Sequence, residues 1–298
     1  MDKTRKIIGL MAAWGSEGFV ELALKQAVDI CDEVLVWVAP HSPDMTKYED
    51  NTYNLANEFK DYFITEREIN NWKCKHMEVI SGALVGDGKH STEKANIFNT
   101  MLKYNSVYFE KGSWIFTLDV DEFFSQELVE EIYRVIDFDN CNKIELSERF
   151  FYINMQHYLF GSHFRLFKIE NENQRFIPTQ RWDQKVNKIY KTTNLMFHYS
   201  MLQNPWMKYD FWQSEYAGTN QKLKTDWLMK IYRSYYLGDE EYWVNKNQEL
   251  SGLKSPWYAK DFTPNSNGYL HVYNGQHHKL IEESGLTKIN DFRKLYNF

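Results

Sequence analysis

A chain of 298 residues with 43% hydrophobic content holds enough apolar material for a substantial core, as one large domain or one domain with an appendage. A formal charge of −6 argues against nucleic acid as the main partner, because phosphate binding needs a basic surface. No segment has the length of a transmembrane span, and three scattered cysteines (Cys31, Cys74, Cys141) suggest neither a disulfide framework nor a zinc cluster.

The N-terminal residues Met1 to Lys6 lead directly into a strand-like run without a signal-peptide core, so a cytoplasmic location is expected. Lys6 to Ala13 reads as a buried strand broken by Gly15-Ser16, and Ser16 is placed to cap a helix with apolar positions Phe19, Val20, Leu22, Ala23, Ala27, Val28 and Ile30. Glu33 to Ala39 is a second buried strand, and Pro40 to Thr46 a polar turn. Tyr53 to Phe63 reads as a weaker helix, His76 to Ile80 as a short strand, Gly82 to His90 as a Gly-rich loop and Ser91 to Tyr108 as a helix. The next run, Trp114 to Leu118, has the β-branched and aromatic content of a buried strand and ends in Asp119-Val120-Asp121-Glu122. Strand–helix alternation with short connections predicts parallel βαβ units with helices on both faces, hence an α/β fold with a mostly parallel central sheet.

After about Ile136 the character changes. Lys143 to Asn154, His163 to Lys168 and Leu195 to Ser200 read as antiparallel strands. From Leu223 onward the chain reads as helical and rich in Trp and Tyr, and the aromatics from Trp206 and Trp212 through Trp227, Trp243 and Trp257 gather in this last third. Most of these rings fit helix packing; some fit a membrane surface if the acceptor is lipid-linked. The simplest division is residues 1–136 as a donor-binding half and 137–298 as an acceptor half with C-terminal helices, in a single compact unit.

The acidic end of the Trp114 strand is the most informative feature. Carboxylates spaced i, i+2 at the carboxyl end of a buried strand fit a single hard cation in the ligand crevice of an open α/β sheet. The plainer reading is an acidic loop capping the helix that Ser125 begins, with Glu127 in its first turn.

In order and spacing, strand one, the helix after it, Asp32-Glu33-Val34-Leu35-Val36, Ser42-Pro43-Asp44-Met45-Thr46, Lys94-Ala95-Asn96 and Asp119-Val120-Asp121 resemble inverting nucleotide-sugar glycosyltransferases of the GT-A fold, of the glycosyl transferase family 2 type. The likeness covers roughly residues 5 to 125 and continues more loosely through Phe164-Arg165-Leu166-Phe167 and Phe197-His198-Tyr199-Ser200. It implies a GT-A (Rossmann-like) nucleotide-diphospho-sugar transferase fold and a Mn2+ or Mg2+ cofactor on Asp121, with Asp119 on the ribose or a metal-bound water. His198 would complete the metal shell or touch the diphosphate, its alternative being a packed core histidine. Lys94 and Asn96 would stand on the donor side, the lysine on the phosphates. The implied partners are a nucleotide-diphosphate sugar donor and a saccharide or lipid-linked acceptor, the latter with a peripheral membrane contact at the inner face.

Trp14 directly follows strand one, where its ring would stack on the nucleobase, and Glu17 opens the next helix on the same side. The resemblance departs at Ala39, where the family usually carries an Asp; Asp44 is nearby but suits its own turn. An inverting transfer also needs a carboxylate to take the acceptor proton. Asp183 in Arg181-Trp182-Asp183 is the first choice for that base, an Arg181–Asp183 surface ion pair its alternative, and Glu148 and Asp210 weaker contenders. Paired Asp residues also serve two-metal phosphoryl or nucleotidyl transfer, although no Walker-type glycine loop is present. A non-catalytic carbohydrate-binding module is the third reading, mildly supported by Ala39.

Overall fold

Seven consecutive buried residues, Ile7–Ala13, form β1, and its alternation decides the layering. Ile7, Met11 and Ala13 join a core shared with helices α1 (Val20–Ile30), α2 (Thr52–Glu66) and α4 (Gln126–Phe138). Ile8, Leu10 and Ala12 join a second core with α3 (His90–Lys103). The same alternation runs through β2 (Glu33–Val38), whose Val34, Val36 and Val38 face the first core and Leu35 and Trp37 the second. A strand apolar at every position is therefore buried on both faces, as parallel strands under helices are.

The remaining strands are β3 (His76–Ser81), β4 (Trp114–Leu118), β5 (Glu122–Phe124), β6 (Lys143–Phe151), β7 (His157–Lys168), β8 (Phe176–Ile177), β9 (Arg181–Trp182), β10 (Ile189–His198) and β11 (His271–Val272), and a short helix α5 covers Lys279–Ser284. The computed structural model describes residues 5–40, 43–83, 90–104, 109–138, 140–151, 155, 157–171, 173–177, 181–183, 188–199, 207 and 271–288. The sheet runs β3-β2-β1-β4-β7-β6-β10-β5, with β11 beside β7, and β8 pairs β9 in a separate ribbon. The pairs β1–β2, β2–β3 and β1–β4 are parallel, while β4–β7 and β7–β11 are antiparallel. The chain is thus of the α/β class, with helices on both faces of its parallel half.

Two compact units are formed, Met1–Ser147 with Ser162–Met196, and Glu148–Gly161 with Phe197–Phe298. Residue 136, the expected end of the donor half, falls inside α4. Of the expected aromatic-rich helical segment from Leu223 onward only residues 271–288 are described, as β11 and α5; the rest, and most of the Gly82–His90 loop, lie outside the described residues. Among the described residues no helix is long and apolar enough to cross a membrane.

Local chemistry departs from expectation at Ser16. It does not cap α1 with its side chain: Phe19 stands at the cap, the Ser16 carbonyl accepts from the Phe19 and Val20 N–H groups, and the Ser16 hydroxyl donates to the Trp14 carbonyl at 3.0 Å. Ser125 does cap its helix, accepting from the Leu128 N–H at 3.3 Å. Cys31, Cys74 and Cys141 are free and buried. Burial pushes the Cys31 thiol above its ordinary range and that of Cys74 up to about 12, so both are neutral and unreactive at pH 7.

Candidate functional site in the first unit

Register brings Trp14 and the acidic turn to one edge of the sheet. Met11 of β1 pairs with Leu118 of β4, so Trp14 and Asp121 each leave the carboxyl edge three residues beyond a paired position. Asp119 and Glu122 close the turn, the Glu122 N–H donating to the Asp119 carbonyl at 3.2 Å. Burial here is nearly complete, with Asp121 4% and Glu122 0% exposed.

Two buried cations converge on Asp119. Lys94 of α3 donates to its Oδ1, and Arg165 of β7 donates to its Oδ2 at 2.7 Å and also to Oε1 of Glu122. Lys94 and Arg165 are only 5% and 4% exposed, so water screens these pairs little. Among the described residues, both Asp119 oxygens are held by nitrogen donors. Asp121, buried at the same turn, carries oxygens of the kind hard divalent cations take. Asp119, by contrast, is occupied by Lys94 and Arg165.

The turn is pinned from beneath by Gln26 of α1, a buried amide that donates to the Glu122 carbonyl at 3.1 Å and accepts from the Phe124 N–H at 2.6 Å. On the opposite flank the loop after β1 is tied to the residues ahead of α2. Gly15, at φ 60, donates to Asp50 at 2.9 Å, Ser16 N–H to Thr52 Oγ1 at 2.8 Å, and Asn51 N–H to the Glu17 carboxylate at 2.9 Å. Glu17 thus braces a loop. Trp14 is half-buried against the first core, and its indole N–H donates to the Met45 carbonyl at 3.3 Å in the 3-10 turn Pro43–Lys47. That turn is the Ser42–Thr46 segment singled out in the sequence; the Asp44 side chain is outside the described set. Ala39 is fully buried and donates its N–H to the Ala13 carbonyl at 3.1 Å. Asn96 is half-buried on α3, two residues from Lys94.

Asp183 is not brought to this turn. β7 runs antiparallel to β4 with Lys168 opposite Trp114, so the chain leaving β7 lies at the amino edge of β4, where Ile169 exchanges backbone hydrogen bonds with Gly112 and Ser113. Gln174 accepts there from the Glu170 and Asn171 N–H groups and donates to the Asp183 carbonyl at 3.3 Å, while the Asp183 N–H bonds to Arg175 at 3.0 Å. Asp183 is exposed, and the five residues of β4 separate its edge from the acidic turn by on the order of 15 Å. The Arg181 side chain and Asp210 fall outside the described residues.

His198 belongs to the second unit. Its Nδ1 meets Glu148 Oε2 at 2.8 Å, and both groups are buried. Phe150 stands edge-on to the imidazole at 4.7 Å, and Gly161 makes room for the Glu148 carboxylate, since a Cβ there would lie 2.2 Å from Oε1. A carboxylate on one ring nitrogen fixes the tautomer and orientation of a histidine, a role typical of groups behind a metal ligand. Beside this pair Phe151, Phe197 and Tyr199 stack nearly parallel, and the Tyr199 hydroxyl lies 3.0 Å from His277 Nδ1. Burial lowers the His277 pKa, which keeps the ring neutral at pH 7.

Gln26 escaped the sequence reading, while Glu122 and Arg165 stood within segments it singled out without being given a role of their own. Arg165 sits within Phe164-Arg165-Leu166-Phe167, where a charged residue flanked by apolar ones was the available signal. No family model matches the chain, and no curated protein matches it.

Proposed function

We propose that the chain is a metal-dependent glycosyltransferase with a GT-A fold, moving a sugar with inversion from a nucleotide-diphosphate donor to a saccharide or lipid-linked acceptor at the cytoplasmic side of a membrane or in the cytoplasm. The observation that carries the reading is the buried turn Asp119–Glu122 at the carboxyl edge of the parallel strands, where Lys94 and Arg165 flank the acidic groups. Doubly wound sheets bind nucleotides at such an edge. A departing diphosphate concentrates negative charge, and the residues needed to receive it are cations plus a carboxylate that holds a divalent ion. Asp121 would hold Mn2+ or Mg2+, which supplies Lewis-acid stabilisation of the leaving diphosphate. Lys94 and Arg165 would bind its phosphate oxygens, Asp119 would accept from the ribose, and Trp14 would stack on the base. Incubation with a panel of sugar nucleotides and Mn2+, scoring release of nucleoside diphosphate, tests the reading. Metal-dependent release from one donor, lost in Asp121→Asn, is the expected result; no release from any donor refutes it.

A further inference from the structure

We infer that the second unit carries a binding site for an acidic sugar, with the Arg149 guanidinium taking its carboxylate or phosphate and the half-buried rings of Tyr273 and Tyr158 taking the apolar face of the pyranose. The site goes beyond the transferase reading, which rests on the first unit, and stands or falls without it. Alternation along the end of β6 sends Glu148 and Phe150 to His198, and Arg149 and Phe151 to the opposite face. There Phe151 stacks on Phe197 and Tyr199 and meets Tyr273 edge-on at 5.2 Å. The guanidinium carbon of Arg149 lies 5.6 Å from the centre of the Phe197 ring and 5.2 Å from that of Tyr273, within the range of cation–π attraction.

Neighbouring polar groups on this face are already engaged. The Tyr199 hydroxyl lies 3.0 Å from His277 Nδ1 and accepts from the His278 N–H, the His277 ring bonds to the Met155 backbone, and the Tyr273 hydroxyl donates to the Gln276 carbonyl. Arg149 differs: among the described residues it has no ion-pair or hydrogen-bond partner, and its Nε is buried. A cation drawn partly out of water without a counter-ion is costly. Contact with ring faces leaves the N–H edge of a guanidinium unused, and that planar edge fits a carboxylate or phosphate in two parallel hydrogen bonds. A second polar atom without a partner, His271 Nε2, is buried along the same run of rings, where Tyr158 stands 5.5 Å from the His271 ring and 5.8 Å from Tyr273. Aromatic surface with a few converging polar groups is the lining of small-molecule sites, and a sugar acid matches both parts.

The test is calorimetry and saturation-transfer NMR on the full chain with glucuronic acid, glucose 6-phosphate, glucose and inorganic phosphate, for wild type, Arg149→Gln and Arg149→Lys. Wild type should bind at least one of the two acids about tenfold or more tighter than glucose, the scale of one charge-assisted hydrogen bond. Arg149→Gln should bring that acid down to the affinity of glucose and leave glucose unchanged. Arg149→Lys keeps the charge without the planar fork and should retain only part of the gain. Added NaCl should weaken binding of the acid and not of glucose. An arginine that serves only to pack its rings predicts a lower melting temperature in Arg149→Gln with the ratio of acid to glucose affinity unchanged, which overturns the inference. If Arg149→Gln fails to fold, the wild-type titrations decide: no saturable binding of either acid, affinities equal to that of glucose, or inorganic phosphate binding as tightly as glucose 6-phosphate each refute the site. Release of nucleoside diphosphate is scored separately, so failure of the transferase reading and failure of this site are told apart.

Discussion

Glu131 of α4 gathers five hydrogen bonds from one short stretch of β10, and replacing it with Gln gives a quantitative test of the fold. Oε1 accepts from the Tyr190 hydroxyl at 2.8 Å, the Thr193 N–H at 2.8 Å and the Thr193 hydroxyl at 3.0 Å; Oε2 accepts from the Asn194 N–H and side-chain amide, both at 2.9 Å. A Gln side chain keeps its carbonyl toward the three donors and turns its NH2 toward Asn194, so two donors face a donor. Hydrogen bonds to a charged group are worth about 1.5–3 kcal/mol each, and partial relaxation of the Asn194 amide leaves a net cost of roughly 3 kcal/mol. At about 2–4 °C per kcal/mol for a unit of this size, the melting temperature should fall by roughly 6–12 °C at pH 7. Burial raises the Glu131 pKa, but the Thr193 and Asn194 N–H groups and the Tyr190 and Thr193 hydroxyls outweigh it and hold the carboxyl below its ordinary range. The advantage of Glu over Gln is therefore complete above the unfolded glutamate value, about 4.3, and shrinks as pH falls through the lower folded value. Circular-dichroism melts of both proteins from pH 7 to pH 3 check this. A variant melting within about 1 °C of wild type at pH 7, or a difference that widens on acidification, would refute the reasoning.

Asp121→Asn should abolish metal-dependent donor binding while leaving the melting temperature near wild type; unchanged donor affinity by calorimetry contradicts its role. Trp14→Ala should weaken nucleoside diphosphate binding by about 1–3 kcal/mol, the scale of base–aromatic stacking, while Trp14→Phe retains most of it. Since Trp14 also packs on the core and bonds to Met45, both variants need a melting curve alongside the binding isotherm. Asp183→Asn should leave sugar transfer near the wild-type rate, because Asp183 sits at the far edge of β4; a fall on the order of 10²–10⁴, the usual cost of removing a general base, would return it to the site.

What was legible in the sequence follows from the range of the forces involved. The apolar run Trp114–Leu118 and the continuous burial of β1 and β2 are written in neighbouring residues, so the strands, and the delivery of Asp119 and Asp121 to a strand end, emerged within a residue or two. Boundaries blurred where the pattern is mixed: β7 begins at His157 rather than His163, and β10 at Ile189 rather than Leu195, because His157–Ser162 and Ile189–Asn194 interleave polar and apolar residues without a clean period of two. The Ser16 cap failed for a different reason. Ser16 is drawn into the bracing of the β1 loop by Thr52, 36 residues away, and no local rule anticipates that competition.

The pairing of Arg165 with Asp119 spans 46 residues and the Gln26 staple nearly a hundred, and neither leaves a periodic trace. Topology would have found the first. Once β7 is taken as the antiparallel neighbour of β4, Phe116 faces Leu166, and Arg165 is the next residue toward the acidic turn. The same step removes Asp183, because the chain emerging from the far end of β7 must begin at the amino edge of β4. The reach of Arg165 to Asp119 and the distance of Asp183 from the turn thus both follow from the direction of one strand. A charged residue inside an apolar strand is costly to bury unless it is paired, and only the pairing of strands says with what. Here the partner is the first carboxylate of the turn, so Arg165 is tied to the candidate site as well as to the strand that carries it.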